Sequence, residues 1–397
     1  MDVAEKHQRE LLDYARRVYR QTPISEATVN AYLTTPRHLF VRRYREFGIK
    51  DWRDVTDANL SEHLAALYAD RPLVLSGDND DDIASTISQP SFVLRMLDML
   101  QLEAGQRVFE LGAGSGWNAA LIGRIVGPTG RVYSVEILPD VGRAAKETLS
   151  RLGFTNVEVI VGDGGEGYAA GGPYDRMTFT AGTYDLPCHF YDQIVEGGLL
   201  LVVVKTAGGG DSLFILRKVG DHFESVTSMP CGFVQMTGKY KVNSFSPIAL
   251  SDLPFWDELQ HREVGRRPFW WGTKDADAFA FSWQTMGVRS FLGITEPTFR
   301  SFKVPSQNGE GEQQFFGLFD ETRMSLVLAR NEELISYGSD EALNHLRQAL
   351  HRWVDLGMPS ASSFKLKAYK SDADVRRGDS QWLTKRSESQ FLWALDA

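Results

Sequence analysis

The stretch from Val108 to Trp117 constrains the fold of this chain more than any other part of the sequence. An apolar run, Val-Phe-Glu-Leu, ends in the glycine cluster Gly-Ala-Gly-Ser-Gly-Trp. This pattern predicts a buried strand that turns into a helix, because glycines accept positive φ and let the backbone approach a ligand. Such a turn can also serve only as punctuation between a strand and a helix. The flanking sequence therefore decides whether a nucleotide-type site is present.

The segments that follow alternate between strand and helix. The expected strands are Arg107–Leu111, Arg131–Val135, Val157–Val161, Arg176–Phe179 and Leu199–Val204, and the expected helices are Trp117–Val126 and Asp140–Leu152. This order is typical of a parallel, doubly wound α/β sheet, in which ligands bind beyond the carboxyl ends of the strands. We therefore predict a Rossmann-like sheet with its site at that edge.

The residues after those strands indicate the ligand. Glu136 ends the second strand about 20 residues beyond the glycines, where a carboxylate accepts hydrogen bonds from ribose hydroxyls. Asp163, between Gly162 and Gly164, is placed to meet an adenine amino group, the alternative being a turn closed by its own side chain. A dinucleotide fingerprint requires glycine where Trp117 stands. The sequence therefore favours an adenosyl ligand without a pyrophosphate.

Composition argues against several classes of protein. A formal net charge of -9 argues against nucleic-acid binding. The two cysteines, Cys188 and Cys231, form no disulfide or zinc pattern, so no metal is expected. The N-terminus is unlike a signal peptide and no apolar run is long enough for a membrane span, so a cytoplasmic protein is expected. The acidic run Ser76–Asp82 lacks the spacing of a calcium loop and is expected to be a solvated turn.

Two short helices are predicted before residue 47, the second capped by Ser25 and ended by Pro36. Further on, Ser85-Thr-Ile-Ser-Gln-Pro90 leads into apolar residues at helical spacing from Phe92 to Leu100. From the local pattern alone, Ser88 is expected to cap that helix.

Together these residues resemble the protein-L-isoaspartate (D-aspartate) O-methyltransferases, a family that uses S-adenosylmethionine. The likeness runs through Pro36–Val41, Ala66–Asp70, Thr86–Pro90, the glycine stretch, Val161–Gly164, Gly172–Asp175, Thr180–Ala181, Leu186–Pro187, Asp192–Gln193, Gly197–Gly198 and Phe233–Gly238. Thr-Ile-Ser-Gln-Pro is the most specific segment, because class I methyltransferases in general share the glycine stretch but lack it.

The resemblance implies roles for individual residues. Ser88 falls on the serine at the family's reacting centre, which makes capping its lesser role. The methyl donor is implied to lie against Ser85, Thr86, Ile87, Ser115, Glu136, Gly162, Asp163 and Thr237. The predicted donor site also includes Glu110, Gly112, Gly114, Gly116, Ile137 and Gly164 of the same loops.

The implied reaction is methyl transfer to a carboxylate oxygen of an L-isoaspartyl or D-aspartyl residue in a protein or peptide, which then passes through a succinimide. The carboxylate is ionised at neutral pH, so the reaction needs positioning and exclusion of water rather than a catalytic base. Two alternatives stay open. One is a dedicated enzyme for an aspartate of a ribosomally made precursor peptide, selected by the C-terminal region. The other is a non-catalytic adaptor that retains the fold.

The chain continues beyond the family-like part. We predict a catalytic domain over residues 1–240, with N-terminal helices 1–88 and a Rossmann-like core 89–240, and a smaller C-terminal α+β extension over 241–397. The extension is expected to be an antiparallel sheet with one helix, capped by Ser339 and ended by Gly357. Its aromatic residues between 245 and 300 are expected to be core, the alternative being a peptide groove. Gly182–Tyr184 and Val202–Gly210 depart from the family pattern and are expected near the mouth of the site.

Overall fold

The structure, a computed structural model, describes residues 2–77, 83–208, 210–243, 245–268, 283–305, 312–330 and 333–395. The acidic run from 78 to 82 and the aromatic residues between 269 and 282 lie outside this part, so the expectations for them stay predictions. None of the helices within the described ranges is long and apolar enough to cross a membrane.

The N-terminal region packs helices around its own apolar core. In chain order it contains α1 (Val3–Val18), α2 (Glu26–Leu33), β1 (Arg43–Tyr44), β2 (Arg53–Asp54), α3 (Leu60–Leu67), β3 (Leu73–Ser76) and β4 (Ser85–Ile87). Ser25 caps α2 as predicted, because its side chain accepts a hydrogen bond from the Thr28 N–H at 3.3 Å. The strands β3 and β4 pair with each other, and β4 leads directly into the next helix.

The central sheet confirms the predicted α/β class. Its elements are α4 (Pro90–Met99), β5 (Arg107–Leu111), α5 (Trp117–Val126), β6 (Arg131–Glu136), α6 (Pro139–Arg151), β7 (Val157–Val161), β8 (Tyr174–Thr183), α7 (Phe190–Gln193), β9 (Ile194–Thr206), β10 (Gly210–Val219) and β11 (His222–Pro230). The first five strands are parallel in the order β7-β6-β5-β8-β9. The strand order reverses between β5 and β8, which is where ligands bind in such sheets.

The sheet departs from the predicted alternation after β9. The chain returns at once as the antiparallel strands β10 and β11, which the sequence analysis did not predict. The strands β9 and β10 are buried on both faces: Leu199 and Leu201 face α4, whereas Leu200 and Val202 cluster with Phe291 of a C-terminal helix. Strands buried on both faces lack a polar alternation, so periodicity does not separate them from other apolar segments.

The C-terminal region adds strands to two sheets. Its elements are β12 (Ile248–Ala249), α8 (Trp256–Leu259), β13 (Glu263–Pro268), α9 (Trp283–Thr295), β14 (Phe299–Pro305), β15 (Glu312–Asp320), β16 (Ser325–Arg330), β17 (Glu333–Tyr337), α10 (Glu341–Asp355), β18 (Phe364–Lys370), β19 (Gln381–Lys385) and β20 (Ser389–Leu395). The strands β12 to β17 form a separate sheet, whereas β18, β19 and β20 extend the central sheet beyond β11.

Three expectations for this region are corrected. The single antiparallel sheet is wrong, because β18 to β20 belong to the central sheet and β12 pairs with β14 in parallel. The single helix is wrong, because the short α8 and the longer α9 are helices as well as α10. Asp340, not Ser339, occupies the cap position of α10, and Gly357 follows the helix with positive φ as predicted.

One hydrophobic cluster joins the central sheet to the C-terminal region. Phe109 and Phe179 of the parallel strands belong to the same buried cluster as Phe291 of α9 and Trp393 of β20. Each buried side chain of this size contributes about 1.5–3 kcal/mol. The division at residue 240 stays a prediction about domains, while the packing runs across it.

The two stretches that depart from the family pattern contact the C-terminal region. The ring of Tyr184 stacks on Phe245 with centroids 5.1 Å apart. The Gly208 carbonyl accepts a hydrogen bond from Arg289 Nε at 2.8 Å. Next to Tyr184, Asp185 accepts a hydrogen bond from the Ser389 hydroxyl. These residues therefore form part of the seam with the extension, and their expected effect on substrate choice stays a prediction.

Candidate active site

A cleft lies at the carboxyl ends of the parallel strands, where β5 and β8 meet. Its walls come from the end of β4, the glycine stretch, and the residues after β6, β7 and β8. The predicted residues that line it are Ser85, Thr86, Ile87, Ser88, Gly112, Gly114, Ser115, Glu136, Ile137, Asp163, Gly164 and Thr237. The structure thus brings together residues that lie between positions 85 and 237 of the chain. Their roles in binding remain predictions.

Two glycines of this cleft stand where a side chain would collide with a neighbouring segment. Gly112 has φ +92°, and a Cβ there would lie 2.4 Å from the Thr180 hydroxyl oxygen. That hydroxyl donates to the carbonyls of Leu111 and Gly112, at 2.8 Å and 2.7 Å. Gly114 has φ +51°, and its Cβ would lie 3.3 Å from the Thr86 carbonyl oxygen. The glycine stretch therefore approaches β8 and β4 at backbone distance.

Glu136 presents a fixed carboxylate to the cleft. Its side chain is buried, with Oε2 accepting from the Gly114 N–H at 2.8 Å and Oε1 from the Leu138 N–H at 3.0 Å. A carboxylate oxygen can accept a second hydrogen bond. Glu136 therefore anchors the glycine stretch, and its two oxygens can each accept a further hydrogen bond, so its role towards a ligand stays a prediction.

Asp163 connects two sides of the cleft. Its Oδ1 accepts from the Gly165 N–H at 2.8 Å, which is the turn that the sequence offered as the alternative interpretation. Its Oδ2 accepts from the Lys239 N–H at 2.7 Å and so ties the segment containing Thr237 to the end of β7. Gly238 lies between with φ +90°, and a Cβ there would strike the Asp163 carboxylate. Closing the turn and facing the cleft are compatible roles.

Three predicted donor residues support the cleft without lining it. Gly116 has φ +81° and lets α6 approach, since a Cβ would lie 3.2 Å from the Leu149 side chain. The Gly162 N–H donates to the Glu136 carbonyl at 2.8 Å. Glu110 is fully buried in β5, just before the glycines, and its carboxyl group accepts hydrogen bonds from Asn118 at 2.6 Å and from Ser134.

Burial raises the pKa of Glu110 to about 7, and the hydrogen bonds from Ser134 and Asn118 only partly oppose this. Asn118, in the first turn of α5, lines the cleft, and its Oδ1 is buried without a partner. Such an acceptor is available for a hydrogen bond from a ligand or a bound water. Sequence analysis missed Asn118, although a polar residue at the start of an otherwise apolar helix was a usable signal.

Other lining residues were also missed, chiefly the wall made of Val234, Gln235 and Met236. This wall is held on Gly182, whose N–H donates to the Val234 carbonyl and whose carbonyl accepts from the Met236 N–H, both at 2.8 Å. The two segments lie about 50 residues apart in the chain. No local pattern connects them, so only the tertiary structure shows the wall.

Ser88 lies where this cleft meets a second, larger one. Residues Thr86, Ser88, Val234, Gln235 and Thr237 line both. The expected capping role of Ser88 is wrong, because Gln89 occupies the cap position of α4. The physical reason is Pro90, which starts the helix and so makes the preceding residue the cap.

The start of α4 is held from the N-terminal region. Asp70 accepts hydrogen bonds from the Gln89 side chain at 2.8 Å, the Ser91 N–H at 2.9 Å and the Ser91 hydroxyl at 2.8 Å. Three donors on one carboxylate fix the backbone that follows Ser88. Asp70, the last residue of the Ala66–Asp70 segment, thus supports the end of the Thr86–Pro90 segment.

The second cleft, which we call the outer cleft, is lined mainly by apolar side chains. They are Val18, Tyr19, Phe47, Pro72, Ile83, Phe92, Met229, Pro230, Cys231, Phe233 and Val234. Two charged residues, Asp211 and Lys241, also reach it, and Asp211 is paired with Lys205. A broad apolar cleft that opens on Ser88 suits a peptide chain better than a small polar molecule. Within the described residues, no cluster of three His, Cys, Asp or Glu side chains is placed to hold a metal ion.

Comparison with known proteins identifies similar chains. A family profile described as protein-L-isoaspartate(D-aspartate) O-methyltransferase (PCMT) matches residues 7–241. The chain is similar to protein-L-isoaspartate O-methyltransferase 1 of Archaeoglobus fulgidus, with 38% identity over 249 residues, covering 62% of this chain and 99% of the relative. It is also similar to the protein-L-isoaspartate O-methyltransferase of Methanococcus maripaludis, with 36% identity over 214 residues, covering 54% and 89%.

Among solved structures, one of a protein-L-isoaspartate O-methyltransferase superposes with a TM-score of 0.53 at 21% identity. The superposition covers 91% of this chain and 96% of the other. Identity at this level indicates a shared fold alone. Because 91% of the chain is covered, the shared fold extends past residue 241 into the C-terminal region.

Proposed function

The chain belongs to the protein-L-isoaspartate (D-aspartate) O-methyltransferase family, and from this we propose that it is an S-adenosylmethionine-dependent carboxyl O-methyltransferase acting on isoaspartyl or D-aspartyl residues of proteins or peptides. The observation that carries the proposal is the position of Ser88. It lies between a cleft built on the glycine stretch and an apolar outer cleft. Transfer between a small donor and a peptide requires such a junction.

The donor cleft fits the methyl donor in three respects. The positive-φ glycines Gly112 and Gly114 line the cleft and pack closely against Thr180 and Thr86, so that backbone rather than side chains forms this wall. The buried Glu136 carboxylate suits two ribose hydroxyls. The orphaned Oδ1 of Asn118 offers an acceptor for an ammonium or hydroxyl group. When bound, the donor supplies a methyl group on a positively charged sulfur.

Each of the residues around the donor then has a physical task. Glu136 would hold the ribose, and Asp163 with Gly164 would meet the adenine amino group. Ser115, whose hydroxyl accepts from the Trp117 N–H at 3.3 Å, would lie against the donor at the start of α5. Thr237 closes the cleft on the far side, fixed by the bond between Asp163 and Lys239.

At the junction, the Ser88 hydroxyl would orient the substrate carboxylate towards the donor cleft. A bound donor would supply the methyl group to a carboxylate oxygen, with its sulfur keeping the electron pair of the broken C–S bond. No proton moves, because the carboxylate is already ionised. The walls of the two clefts therefore need to position the carboxylate and exclude water.

The proposal extends to a repair role, since the methyl ester of an isoaspartyl residue closes to a succinimide that reopens partly to aspartate. Neither earlier alternative is supported by an observation of its own. An adaptor has no use for a donor cleft with its acceptors in place. The C-terminal region has a pocket of its own, lined by residues that include Leu334, Leu350 and Trp353, but no observation connects this pocket to a precursor peptide.

The proposal is tested by methyl transfer from labelled S-adenosylmethionine to an isoaspartyl peptide, with the full chain. We expect a base-labile methyl ester on the peptide. Ser88→Ala should lower kcat and leave the Kd of S-adenosylhomocysteine within about 2-fold, because Ser88 faces the acceptor. Ser115→Ala is the matched control, expected to raise that Kd while changing kcat little. No base-labile ester with the wild-type chain contradicts the proposal, and loss of donor binding in Ser88→Ala contradicts the assigned role of Ser88.

A further inference from the structure

A fully buried arginine lies directly behind Thr86–Pro90, the segment that contains Ser88 and that we call the reacting segment. Arg37 stands in the short turn Arg37–Phe40 after α2, and none of its surface is exposed. Among the described residues, no carboxylate forms a salt bridge with its guanidinium, and the charge of Asp70 only partly offsets the effect of burial. Burial lowers its pKa to about 9, so the group remains a cation at neutral pH. A buried cation without an ion-pair partner is costly and calls for a reason.

The guanidinium bonds only to backbone carbonyls, two of which belong to the reacting segment. Nη1 donates to the Ser88 carbonyl at 2.7 Å, and Nη2 donates to the Ile87 carbonyl at 3.3 Å. Nε donates to the Leu67 carbonyl at the end of α3, at 2.9 Å. Hydrogen bonds from a cation are shorter and stronger than neutral ones. Arg37 therefore fixes the backbone of Ile87 and Ser88 against the N-terminal helices.

The same guanidinium also contacts the helix α5, which begins at the end of the glycine stretch. Its central carbon lies 4.9 Å from the ring centroid of Trp117, the first residue of α5 after the glycine stretch. Trp117 is itself buried, and its indole N–H donates to the Thr35 carbonyl at 3.0 Å. One rigid planar group thus touches both the Ser88 backbone and the helix that follows the glycine stretch.

We infer that Arg37 is a positioning residue, which sets the distance between Ser88 and the glycine stretch of the donor cleft. This inference rests on the proposed function. In-line methyl transfer depends on reacting atoms held about 3–3.5 Å apart, and a displacement of about 1 Å costs about 100-fold in rate. Lysine in place of Arg37 offers a point charge and cannot bond three carbonyls in one plane while stacking on a ring. The reacting segment would then shift relative to the donor.

The test compares Arg37→Lys with a matched control, Arg176→Lys. Arg176 also bonds backbone carbonyls, those of Leu100 and Gln101 at 2.7 Å and 3.1 Å, but near the start of β8, at the opposite edge of the sheet from the site. We expect Arg37→Lys to lower kcat for methyl transfer about 10–100-fold. The Kd of S-adenosylhomocysteine should stay within about 3-fold in both variants, and kcat of the control within about 3-fold of wild type. Equal loss of kcat in both variants overturns the inference, as does an unchanged kcat in Arg37→Lys.

A second measurement does not depend on activity. Amide hydrogen exchange of residues 84–91 should become faster in Arg37→Lys than in wild type and stay unchanged in Arg176→Lys. Unchanged exchange in Arg37→Lys overturns the inference even if the wild-type chain transfers no methyl group, an outcome that counts separately against the proposed function.

If Arg37→Lys does not fold, Asp70→Asn takes its place. This variant loosens the same segment from the other side, at Gln89 and Ser91. The inference then predicts faster exchange over residues 84–91 and a kcat lowered several-fold with the Kd of S-adenosylhomocysteine kept. If hydrogen exchange over residues 84–91 becomes faster while kcat stays at the wild-type value, the inference is overturned, because the position of the reacting segment would then not limit the rate.

Discussion

Replacing Glu110 by glutamine should remove a pH dependence of stability from the protein. Glu110 is fully buried in β5, and burial raises its pKa from 4.5 to about 7. Below pH 4.5 the carboxyl group is protonated in both the folded and the unfolded chain. Between pH 4.5 and 7 the unfolded chain releases the proton and the folded chain keeps it. The free energy of unfolding therefore falls as the pH rises through this range.

The size of the effect follows from the two pKa values. The interval from 4.5 to about 7, at about 1.4 kcal/mol for each pH unit, corresponds to about 3 kcal/mol. Glutamine resembles the protonated acid, since its amide oxygen can accept from Asn118 and its nitrogen can donate to Ser134. Glu110→Gln should therefore avoid this loss. Most of it, about 2 kcal/mol, should appear as a growing difference between variant and wild type from pH 5 to 7.5.

The assay is urea unfolding of both chains at pH 5 and pH 7.5, with the free energy of unfolding taken by linear extrapolation. Comparing variant with wild type at each pH cancels the other groups that titrate in this range. Glu147→Gln, on the exposed face of α6, controls for the loss of one negative charge. If wild type and Glu110→Gln change in parallel between the two pH values, Glu110 is not protonated in the folded chain and the burial argument is refuted.

Three further predictions concern the donor cleft and the seam. Glu136→Gln should raise the Kd of S-adenosylhomocysteine about 10-fold or more by calorimetry, because hydrogen bonds to a charged group are lost, and an unchanged Kd would contradict its role. Gly112→Ala should abolish that binding, whereas Gly153→Ala, also at positive φ but with no atom within 4 Å of the new Cβ, should preserve it. Ser389→Ala should lower the free energy of unfolding by about 1–2 kcal/mol, because the buried Asp185 loses a hydrogen-bond donor; a variant as stable as wild type would exclude this seam contact as a source of stability.

The strands and helices in the first half of the central sheet could be predicted from the sequence because the residues that start and end them are close together in the chain. Glycines with positive φ stand on both sides of the helix Trp117–Val126, at Gly116 and Gly127, and both helix ends were predicted correctly. The strand Val157–Val161 was also predicted with its true ends. In these segments the apolar run and its stop signals lie within a few residues of each other, so the sequence needs no tertiary information.

The strands β10 and β11 and the helix α9 were not readable for the opposite reason. The sheet around β9 is covered by α4 on one face and α9 on the other, and α9 lies about 80 residues further along the chain. Burial of β10 on both faces removes the alternation that marks a strand, whereas β11 is mostly half-buried and takes its place by pairing with β10 and β18. The secondary structure of these segments depends on contacts with residues that are distant in the sequence, so a short stretch of sequence does not predict it.

The candidate site shows the same division. The residues directly after the parallel strands, such as Glu136 and Asp163, were found because the fold class dictates where ligands bind. The link between Asp163 and Lys239 joins residues 76 positions apart and could not be found in this way. Ser88 shows a failure of a local rule, because Pro90 fixed the cap at Gln89 and left Ser88 facing the clefts.

The central claim is that this chain methylates the displaced carboxylate of an isoaspartyl residue. The most direct measurement is kcat/KM for methyl transfer to two versions of one peptide, with isoaspartate or aspartate at the same position. The two differ by the place of one methylene in the backbone, a difference that a fitted site discriminates by about 10–200-fold. We predict a preference for the isoaspartyl peptide of about 100-fold. Equal values, or a preference for the aspartyl peptide, would contradict the claim.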